Sequence, residues 1–395
     1  MNKNDKIVSI IMPVYNGSNY LREAIDSALA QTYKNIEILV VNDGSTDNTE
    51  EIAKSYGDRI RYFKKENGGV STALNMGIEN MEGEYFSWLS HDDIYYPDRT
   101  ERLINALYED GDMKKIAWGT LDFLDENAKI HRYMITDDLA KITDSVFPII
   151  KGWIAGCAIL IHRSHFDRVG YFREDLRFVQ DYEMWFRMFR NQQTVYVPHA
   201  VYVLRQHSDS TTNTGKEALR KENINFYRNI ATSLSVTEIT RFFGSLRKFY
   251  LFIQKCILNY GFEIDKYIKA MFRSQFTSAE WEKLHKNIKN TFVGCDVCIF
   301  CAGRYGRSLY TTLKLLNISV KYFADNDPTK HDTSIVDDIN CLSFEELCKI
   351  KDEVMVIVAT AAPDEIIEQL QQANFPHITT KQAIEKDLDK IMEGV

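Results

Sequence analysis

Residues 7–47 read IVSIIMPVYNGSNYLREAIDSALAQTYKNIEILVVNDGSTD and combine strand-like and helix-like segments. A β-branched run at 7–12 ends at Pro13 and predicts a strand, and 19–31 carry apolar side chains at helical spacing. The next run, 36–41, is almost wholly apolar, as in a strand buried on both faces. A strand, a helix and a second strand in this order predict a parallel pair whose carboxyl ends share one edge of a sheet.

The same rhythm continues to residue 93 and predicts an α/β domain. Further helices are predicted at about 47–56 and 70–80, and further strands at 60–64 and 85–89. These elements imply an open, mostly parallel sheet with helices on both faces. Ligands of such sheets bind beyond the carboxyl ends of the strands, so we expect the turns at 13–16, 42–47 and 90–93 to converge on one crevice.

The chain is long enough for two or three domains, since it has 395 residues. We predict a first α/β domain at 1–215 and a second, Rossmann-like α/β domain at 291–395. The intervening residues 216–290 are rich in aromatic side chains, with 14 Lys and Arg against 7 Asp and Glu. They predict a basic, aromatic helical connector.

The composition excludes several classes of protein. Hydrophobic residues make up 45% and charged residues 26% of the chain, which excludes a disordered or low-complexity protein. A net charge of −8 disfavours non-specific nucleic-acid binding, which needs a basic face. The N-terminal residues lack the apolar core of a signal peptide, and seven cysteines without framework spacing indicate a reducing compartment. We therefore expect a cytoplasmic protein, with the inner face of the membrane as an alternative.

A series of motifs resembles the inverting family 2 glycosyltransferases of GT-A fold. These motifs lie at 9–16, 31–33, 42–47, 89–93, 170–172, 180–185 and 205–210. The resemblance covers about residues 7–212 and implies metal-dependent transfer of a sugar from a nucleoside diphosphate, most simply a UDP-sugar. The implied acceptor is a hydroxyl of a saccharide or lipid-linked glycan, in the synthesis of a surface polysaccharide or glycoconjugate.

The residue types at the strand ends suit such a donor. Tyr15 offers a ring face to the base, and Asp43 offers an acceptor to a base N–H or a ribose hydroxyl. Either side chain could instead serve the fold, Tyr15 by packing and Asp43 as a turn residue. The predicted nucleotide-binding residues are Pro13, Val14, Tyr15, Asn16, Asp43, Asn75, His91 and Asp92. Many relatives carry Arg where this chain has Leu74, so that cation is missing from its usual place.

The predicted metal site centres on Asp92, a hard oxygen ligand for Mn²⁺ or Mg²⁺ that bridge a diphosphate. The family motif is usually Asp-x-Asp, whereas Ser90 replaces the first carboxylate here. The resemblance places His207 where members often add a ligand or a phosphate contact, although a structural role remains open. Asp93 is a supporting or acceptor residue, or a cap of the helix expected near 96–97.

The resemblance assigns the catalytic base to Asp181. Inversion needs a carboxylate across the sugar from the metal, and the helix predicted at 181–190 should keep an N-terminal Asp ionised through its dipole. Glu183 is the second choice as base. Further supporting or acceptor residues are predicted at Gly156, Glu183 and Arg205, together with Asp93.

The second domain carries two weaker signals. The turn at 301–306 resembles a dinucleotide fingerprint without its first glycine, which predicts a nucleotide site at Gly303, Gly306 and Asp325, or else a scaffold for docking. The spacing of Cys295, Cys298 and Cys301 suggests a metal cluster, but a strand would point these thiols to opposite sides. We therefore predict buried hydrophobic cysteines.

Other interpretations of the chain as a whole remain open. Residues 241–262 could contact an anionic membrane or pack as a helix, and the connector could mediate a homo-oligomer. The protein could be bifunctional, with NAD or a sugar nucleotide in its second domain, or an inactive nucleotide-sugar-binding protein. A sugar-1-phosphate nucleotidyltransferase is disfavoured because 13–16 is not a glycine-rich, basic loop.

Overall fold

A computed structural model describes residues 6–125, 127–132, 135, 143, 146–207, 215–258, 266–292 and 294–393. The chain divides into two units, Met1–Glu222 and Asn223–Val395. The boundary lies beyond the predicted one at 215 and falls within the helix Lys216–Ser233. The helices that follow belong to the second unit, so most of the predicted connector at 216–290 is part of that unit and not a separate region.

The first unit contains one nine-stranded sheet in the order β3-β2-β1-β4-β8-β6-β9-β5, with β7 paired to β6. Its strands are β1 Val8–Val14, β2 Ile36–Asp43, β3 Arg61–Lys65, β4 Tyr85–Trp88, β5 Ile94–Tyr95, β6 Ile116–Leu124, β7 Ile130–Arg132, β8 Ile159–His162 and β9 Thr194–Arg205. The parallel arrangement predicted for β1 to β4 is confirmed.

The rest of this sheet is mixed. Strand β8 runs antiparallel to β4 and β6, and β6 is parallel to β9. The turn that opens β8 lies at the end of β4, because a Cβ on Gly156 would be 2.7 Å from the Trp88 ring. The chain therefore enters β8 at the carboxyl edge and runs back along β4, which brings this turn to the expected crevice.

Helices cover the sheet of the first unit. They are α1 Leu21–Leu29, α2 Thr49–Lys54, α3 Val70–Asn80, α4 Arg99–Asp110, α5 Phe147–Ile150, α6 Ser164–Val169 and α7 Gln180–Phe189, followed by α8 Lys216–Ser233 at the boundary. All seven residues of β1 are buried. Helix α3 approaches β1 closely, since a Cβ on Gly77 would lie 2.4 Å from the Ile11 side chain. The close packing of helices on the sheet thus keeps the strand ends and the helix starts along one edge of the first sheet.

The second unit begins with helices and continues as an α/β domain. Its helices are α9 Val236–Phe243, α10 Leu246–Leu258, α11 Lys266–Arg273, α12 Ser278–Thr291, α13 Arg304–Leu315, α14 Phe344–Cys348, α15 Asp364–Gln372 and α16 Lys381–Glu393. Its strands are β10 Asp296–Phe300, β11 Val320–Ala324, β12 Ser334–Val336, β13 Ile339–Leu342, β14 Val354–Val358 and β15 Ile378–Thr380. The order β12-β13-β11-β10-β14-β15 places the first strand centrally, as expected for a Rossmann-like sheet.

The aromatic side chains of α9 and α10 contribute to the core of the second unit. Phe242, Phe249 and Tyr250 are buried. Lys255 pairs with Glu385 of α16 at 2.8 Å, which fixes α10 on the α/β part. Packing inside this unit thus accounts for these aromatic residues. Of the segment 241–262, residues 259–262 lie outside the described residues. Among those described, no helix has the length and apolar character to cross a membrane.

Candidate active site

The turns after β1 and β2 are joined at the carboxyl edge of the first sheet. The Asn16 N–H donates to Ser45 Oγ at 2.9 Å, and the Thr46 N–H donates to Asn16 Oδ1 at 2.8 Å. Asn16 has a φ of 48°, a left-handed conformation that Asn tolerates well. Pro13 and Val14 are buried in β1, whereas Tyr15 is 48% exposed. The Tyr15 ring is therefore not a core residue and is free to stack on a planar ligand.

Asp43 lies at the end of β2 with its carboxylate buried and bonded by three donors. Oδ1 accepts from Lys65 Nζ at 2.7 Å and from the Gly68 N–H at 2.9 Å, and Oδ2 accepts from the Gly69 N–H at 2.7 Å. Beside it opens a surface cleft of about 660 Å³, lined by Gly44, Ser45, Lys64, Lys65, Glu66 and Asn67. Asp43 thus orders one wall of this cleft.

Sequence reasoning missed Lys65. Leu74, at the position where many relatives carry Arg, is fully buried in α3. The cation near Asp43 comes instead from β3, where Lys65 is the parallel partner of Asp43 in the β2–β3 ladder. The signal was a lysine at the carboxyl end of a predicted strand beside Asp43. Lys65 could be recognised as the partner of Asp43 only once the register between β2 and β3 was known.

Asp92 and His207 meet beyond the ends of β4 and β9. His207 Nε2 lies 3.0 Å from Asp92 Oδ2, so the two predicted metal ligands are neighbours. Arg205 fixes this loop, donating from Nε to the Asp92 carbonyl at 3.1 Å and from Nη2 to Glu23 at 2.5 Å. The motif that continues from Arg205 includes 208–210, which lie outside the described residues.

Asp93 does not cap a helix, so that alternative is wrong. Helix α4 begins only at Arg99, and Asp93 is buried below the Asp92 loop. Its carboxylate accepts the Arg205 N–H at 3.1 Å and lies 3.6 Å from the Cys157 thiol. Burial, reinforced by the neighbouring Asp92, raises the pKa of Asp93 well above its usual range. Asp93 therefore supports the loop from below.

His91 is part of the Asp92 loop and Gly156 lies close to it, and both are tightly packed. A Cβ on Gly17 would lie 2.3 Å from the His91 ring, so the turn after β1 and the Asp92 loop touch there. Burial lowers the pKa of His91, which keeps its imidazole neutral at pH 7. The contact of Gly156 with Trp88 leaves no room for a side chain. Both residues shape the crevice.

Asp181 is the second residue of α7 and is partly exposed. Its Oδ1 accepts the Tyr182 N–H at 2.9 Å. Burial raises the pKa of Asp181 to about 6, although hydrogen bonds from backbone N–H groups act in the opposite direction. Desolvation therefore outweighs the effect of the helix N-terminus on the pKa of Asp181. A carboxylate with a pKa near 6 is still ionised at pH 7 to 8 and is a stronger base.

Glu183 is unsuited to the role of base. It is buried, and its two oxygens accept from Arg187 Nε and Nη2 at 2.9 Å each. Arg187 also donates to the carbonyls of Val169 and Tyr171, at 2.5 and 2.9 Å. Glu183 therefore ties the motif at 180–185 to the motif at 170–172, a link that sequence spacing does not reveal.

Asn75 also has a different place from the one predicted. Its Nδ2 donates to the Phe172 carbonyl at 3.0 Å and to Glu174 Oε1 at 3.1 Å, and its Oδ1 accepts the Phe172 N–H at 2.9 Å. Both amide hydrogens are engaged, so Asn75 anchors 172–174 and does not offer its amide to a nucleotide. The prediction of a direct nucleotide contact is corrected.

The turn after β10 brings together the residues predicted for a second nucleotide site. Asp325 accepts the Ala302 N–H at 2.8 Å, the Asp327 N–H at 3.0 Å and Lys330 Nζ at 3.0 Å. A Cβ on Gly306 would lie 2.0 Å from the Cys301 carbonyl, so this glycine allows the close packing of α13 on β10. A Cβ on Gly303 would meet no atom within 4 Å. These contacts stabilise the turn, and a ligand there stays a prediction.

Of the three spaced cysteines, Cys295 precedes β10, Cys298 lies within it and Cys301 follows it. Cys298 is buried in the hydrophobic core with Phe300, and burial raises its pKa. Cys301 is partly buried against the same core, and burial raises its pKa to about 11. Among the residues that the structure describes, no three His, Cys, Asp or Glu side chains form a metal-binding group.

Comparison with known proteins identifies a protein family whose model matches part of this chain. Residues 9–170 match the model of Glycosyl transferase family 2. An uncharacterized glycosyltransferase of Rickettsia typhi is 50% identical over 219 residues, which cover 54% of this chain and 69% of that protein. One from Rickettsia prowazekii is 47% identical over 249 residues, covering 62% of this chain and 77% of that protein.

Other relatives are longer than this chain. An uncharacterized glycosyltransferase of Rickettsia felis is 54% identical over 189 residues, and the chain spans only 31% of its length. Among solved structures, residues 1–349 of S. aureus TarS in complex with UDP-GlcNAc match with a TM-score of 0.50 and 14% identity. That match covers 79% of this chain and 92% of that one. At such identity the likeness concerns the fold, and it supports the predicted GT-A fold.

Proposed function

The chain belongs to Glycosyl transferase family 2, and we propose that its first unit transfers a sugar from a nucleoside diphosphate to an acceptor hydroxyl with inversion. The observation that carries the proposal is the Asp92–His207 pair at the carboxyl edge of the same sheet that holds the Asp43 cleft. Asp181, a carboxylate with a raised pKa at a helix start, supplies the base. Together these provide ligands, a donor cleft and a proton acceptor.

The donor proposed is a UDP-sugar. Tyr15 presents an exposed ring, and the Asp43 cleft lies beyond the neighbouring strand. A ring face and a wall of backbone and lysine donors suit a base and its ribose. The S. aureus TarS structure, whose fold is similar, contains UDP-GlcNAc, which is consistent with this class of donor.

A divalent cation is proposed at Asp92. The carboxylate of Asp92 and the imidazole of His207 would hold a Mn²⁺ or Mg²⁺. Bound there, such an ion would neutralise charge on the departing diphosphate. Arg205 holds the Asp92 loop by its carbonyl, so the carboxylate is oriented before the donor arrives.

Asp181 is proposed to take the proton of the acceptor. As the acceptor oxygen bonds to the anomeric carbon, the bond from that carbon to the diphosphate breaks and the proton passes to the Asp181 carboxylate. Base catalysis of this kind contributes roughly 10²–10⁴-fold. The proposed acceptor is a saccharide or a lipid-linked glycan, in the synthesis of a surface polysaccharide or glycoconjugate.

The test is a panel of nucleotide sugars, each assayed for protein-dependent release of the nucleoside diphosphate with Mn²⁺ present. We expect a UDP-sugar to be turned over. Tyr15→Ala should raise the donor KM about tenfold, because stacking on a base contributes roughly 1–3 kcal/mol. Tyr305→Ala is the matched control, since Tyr305 is 50% exposed in the second unit. Absence of release with every donor would contradict the proposal.

A further inference from the structure

Glu222 binds the backbone just before the helix that carries Asp181. Its Oε2 accepts from the N–H of Phe178 at 2.8 Å and of Val179 at 3.1 Å, and Oε1 accepts from the N–H of Arg177 at 3.0 Å. Three consecutive backbone N–H groups thus converge on one carboxylate. Glu222 belongs to α8, more than 40 residues further along the chain than its partners, with separations of 43 to 45.

This carboxylate places a negative charge beside the start of α7, on N–H groups that precede the helix. Val179, the residue before the first helical position, provides no side-chain acceptor for the helix N-terminus. A negative charge near a helix N-terminus is favourable, and hydrogen bonds to an ionised acceptor are stronger than those between neutral groups. Glu222 therefore caps the approach to α7 from a distant helix.

The segment 172–179 is held at its other end as well. Asn75 of α3 fixes Phe172 through both its backbone N–H and its carbonyl. Ser71 Oγ, one turn earlier in α3, donates to the Leu176 carbonyl at 3.3 Å. Asp181 lies two residues after Val179, whose N–H is the last of the three that Glu222 accepts. The direction in which its carboxylate points thus depends on how firmly Arg177 to Val179 are held.

We propose that Glu222 is a positioning residue for the base Asp181, an inference that rests on the proposed transfer reaction. Glu222 acts through the backbone and touches neither donor nor acceptor. The donor-binding residues Asp43 and Asp92 lie on β2 and after β4, elements that Glu222 does not hold. Loss of this carboxylate should therefore lower kcat and spare donor binding.

The experiment compares Glu222→Ala and Glu222→Gln in the full chain, measuring kcat for sugar transfer and the Kd for UDP by calorimetry. Glu222→Ala should lower kcat about 10- to 100-fold, because small misplacements of a catalytic group have effects of this size. The Kd for UDP should stay within about twofold. Glu222→Gln should restore most of kcat, since its amide oxygen can still accept from Phe178 and Val179.

Glu217→Ala is the matched control, because Glu217 lies on the same helix and pairs with Arg220 and Lys221. It should leave kcat unchanged. If Glu222→Ala does not fold, Glu222→Asp, whose side chain is one methylene too short, should lower kcat while Glu222→Gln does not. An active parent with unchanged kcat in Glu222→Ala, or with parallel losses of kcat and UDP affinity, would overturn the positioning role alone. A parent inactive with every donor would overturn the proposed reaction too.

Discussion

Asp43 in the first unit and Asp325 in the second lie at the end of the strand that pairs in parallel with the first strand of each sheet. Each accepts two backbone N–H groups and one lysine ammonium, from Lys65 and from Lys330. The difference is which backbone they bind. Asp43 accepts from the loop before α3, and the turn after β1 is hydrogen-bonded instead to Ser45 and Thr46. Asp325, in contrast, accepts the Ala302 N–H of the turn after β10.

The two turns also differ in the groups that surround them. In the first unit Tyr15 is exposed beside the Asp43 cleft, and the Asp92–His207 pair lies at the same edge of the sheet. The N–H groups of both turns are already bonded, that of Asn16 to Ser45 and that of Ala302 to Asp325. An aspartate at a strand end is therefore weak evidence for a nucleotide site. The other groups that converge around the aspartate decide whether the site suits a nucleotide.

The largest contrast is expected between Asp92→Asn and Asp325→Asn. Asp92→Asn removes the carboxylate proposed to hold the cation, so sugar transfer should fall by about a hundredfold or more, since metal stabilisation of a leaving group contributes several kcal/mol. Calorimetry should also show that Mn²⁺ no longer strengthens UDP binding. Asp325→Asn should change neither quantity. Equal UDP affinity with Mn²⁺ and with EDTA in the parent would remove the metal from the account.

A smaller contrast is expected between the two lysines. Lys65→Met leaves the buried Asp43 carboxylate without its cation, and a hydrogen bond to a charged group contributes roughly 1.5–3 kcal/mol. We expect the Kd for UDP to rise about tenfold, because the wall of the cleft is no longer fixed. Lys330→Met should leave the Kd unchanged. Similar effects from the two substitutions would show that the comparison between the units is mistaken.

The smallest effect concerns stability and pH. The native pKa of Asp181, raised by burial to about 6, lies above its unfolded value of about 4, so the protonated form favours the native state. That contribution is complete below about pH 4 and is lost as the pH rises through 6. Asp181→Asn should therefore raise Tm relative to the parent at pH 8, by roughly 2–4 °C for each kcal/mol of this lost contribution, and should change it little at pH 4.5. A lower Tm at pH 8 would mean that Asp181 stabilises the fold.

Much of the first sheet could be predicted because its central strands are continuous apolar runs with polar residues at their ends. Helix α3 was predicted at 70–80, where it is found, and the strand ends at Tyr15, Asp43 and Asp92 lie at one edge. The direction of β8 could not be predicted, because an apolar run has the same pattern whether a strand is parallel or antiparallel. The composition changes at 216, whereas the two units of the structure divide after Glu222.

The supporting residues were missed for a different reason. Three of these residues act on partners that only the folded chain brings near. Lys65 meets its partner through a strand register, Arg187 through a carbonyl contact and Glu222 through a helix packed on a loop. The pKa of Asp181 depends on a balance between the helix N-terminus and burial, and sequence gives no measure of burial at a single carboxylate. Sequence therefore identified the residues proposed for the chemistry and two of their supports, Asp93 and Arg205, but not Lys65, Arg187 or Glu222.

The most direct test of the account is the rate of sugar transfer by Asp181→Asn in the full chain at pH 8, with UDP affinity measured on the same sample. Asn keeps the size of the side chain and an acceptor for the Tyr182 N–H but cannot take a proton. We predict that transfer falls by at least about a hundredfold while UDP affinity is unchanged. Transfer within about twofold of the parent would contradict the assignment of Asp181 as the base.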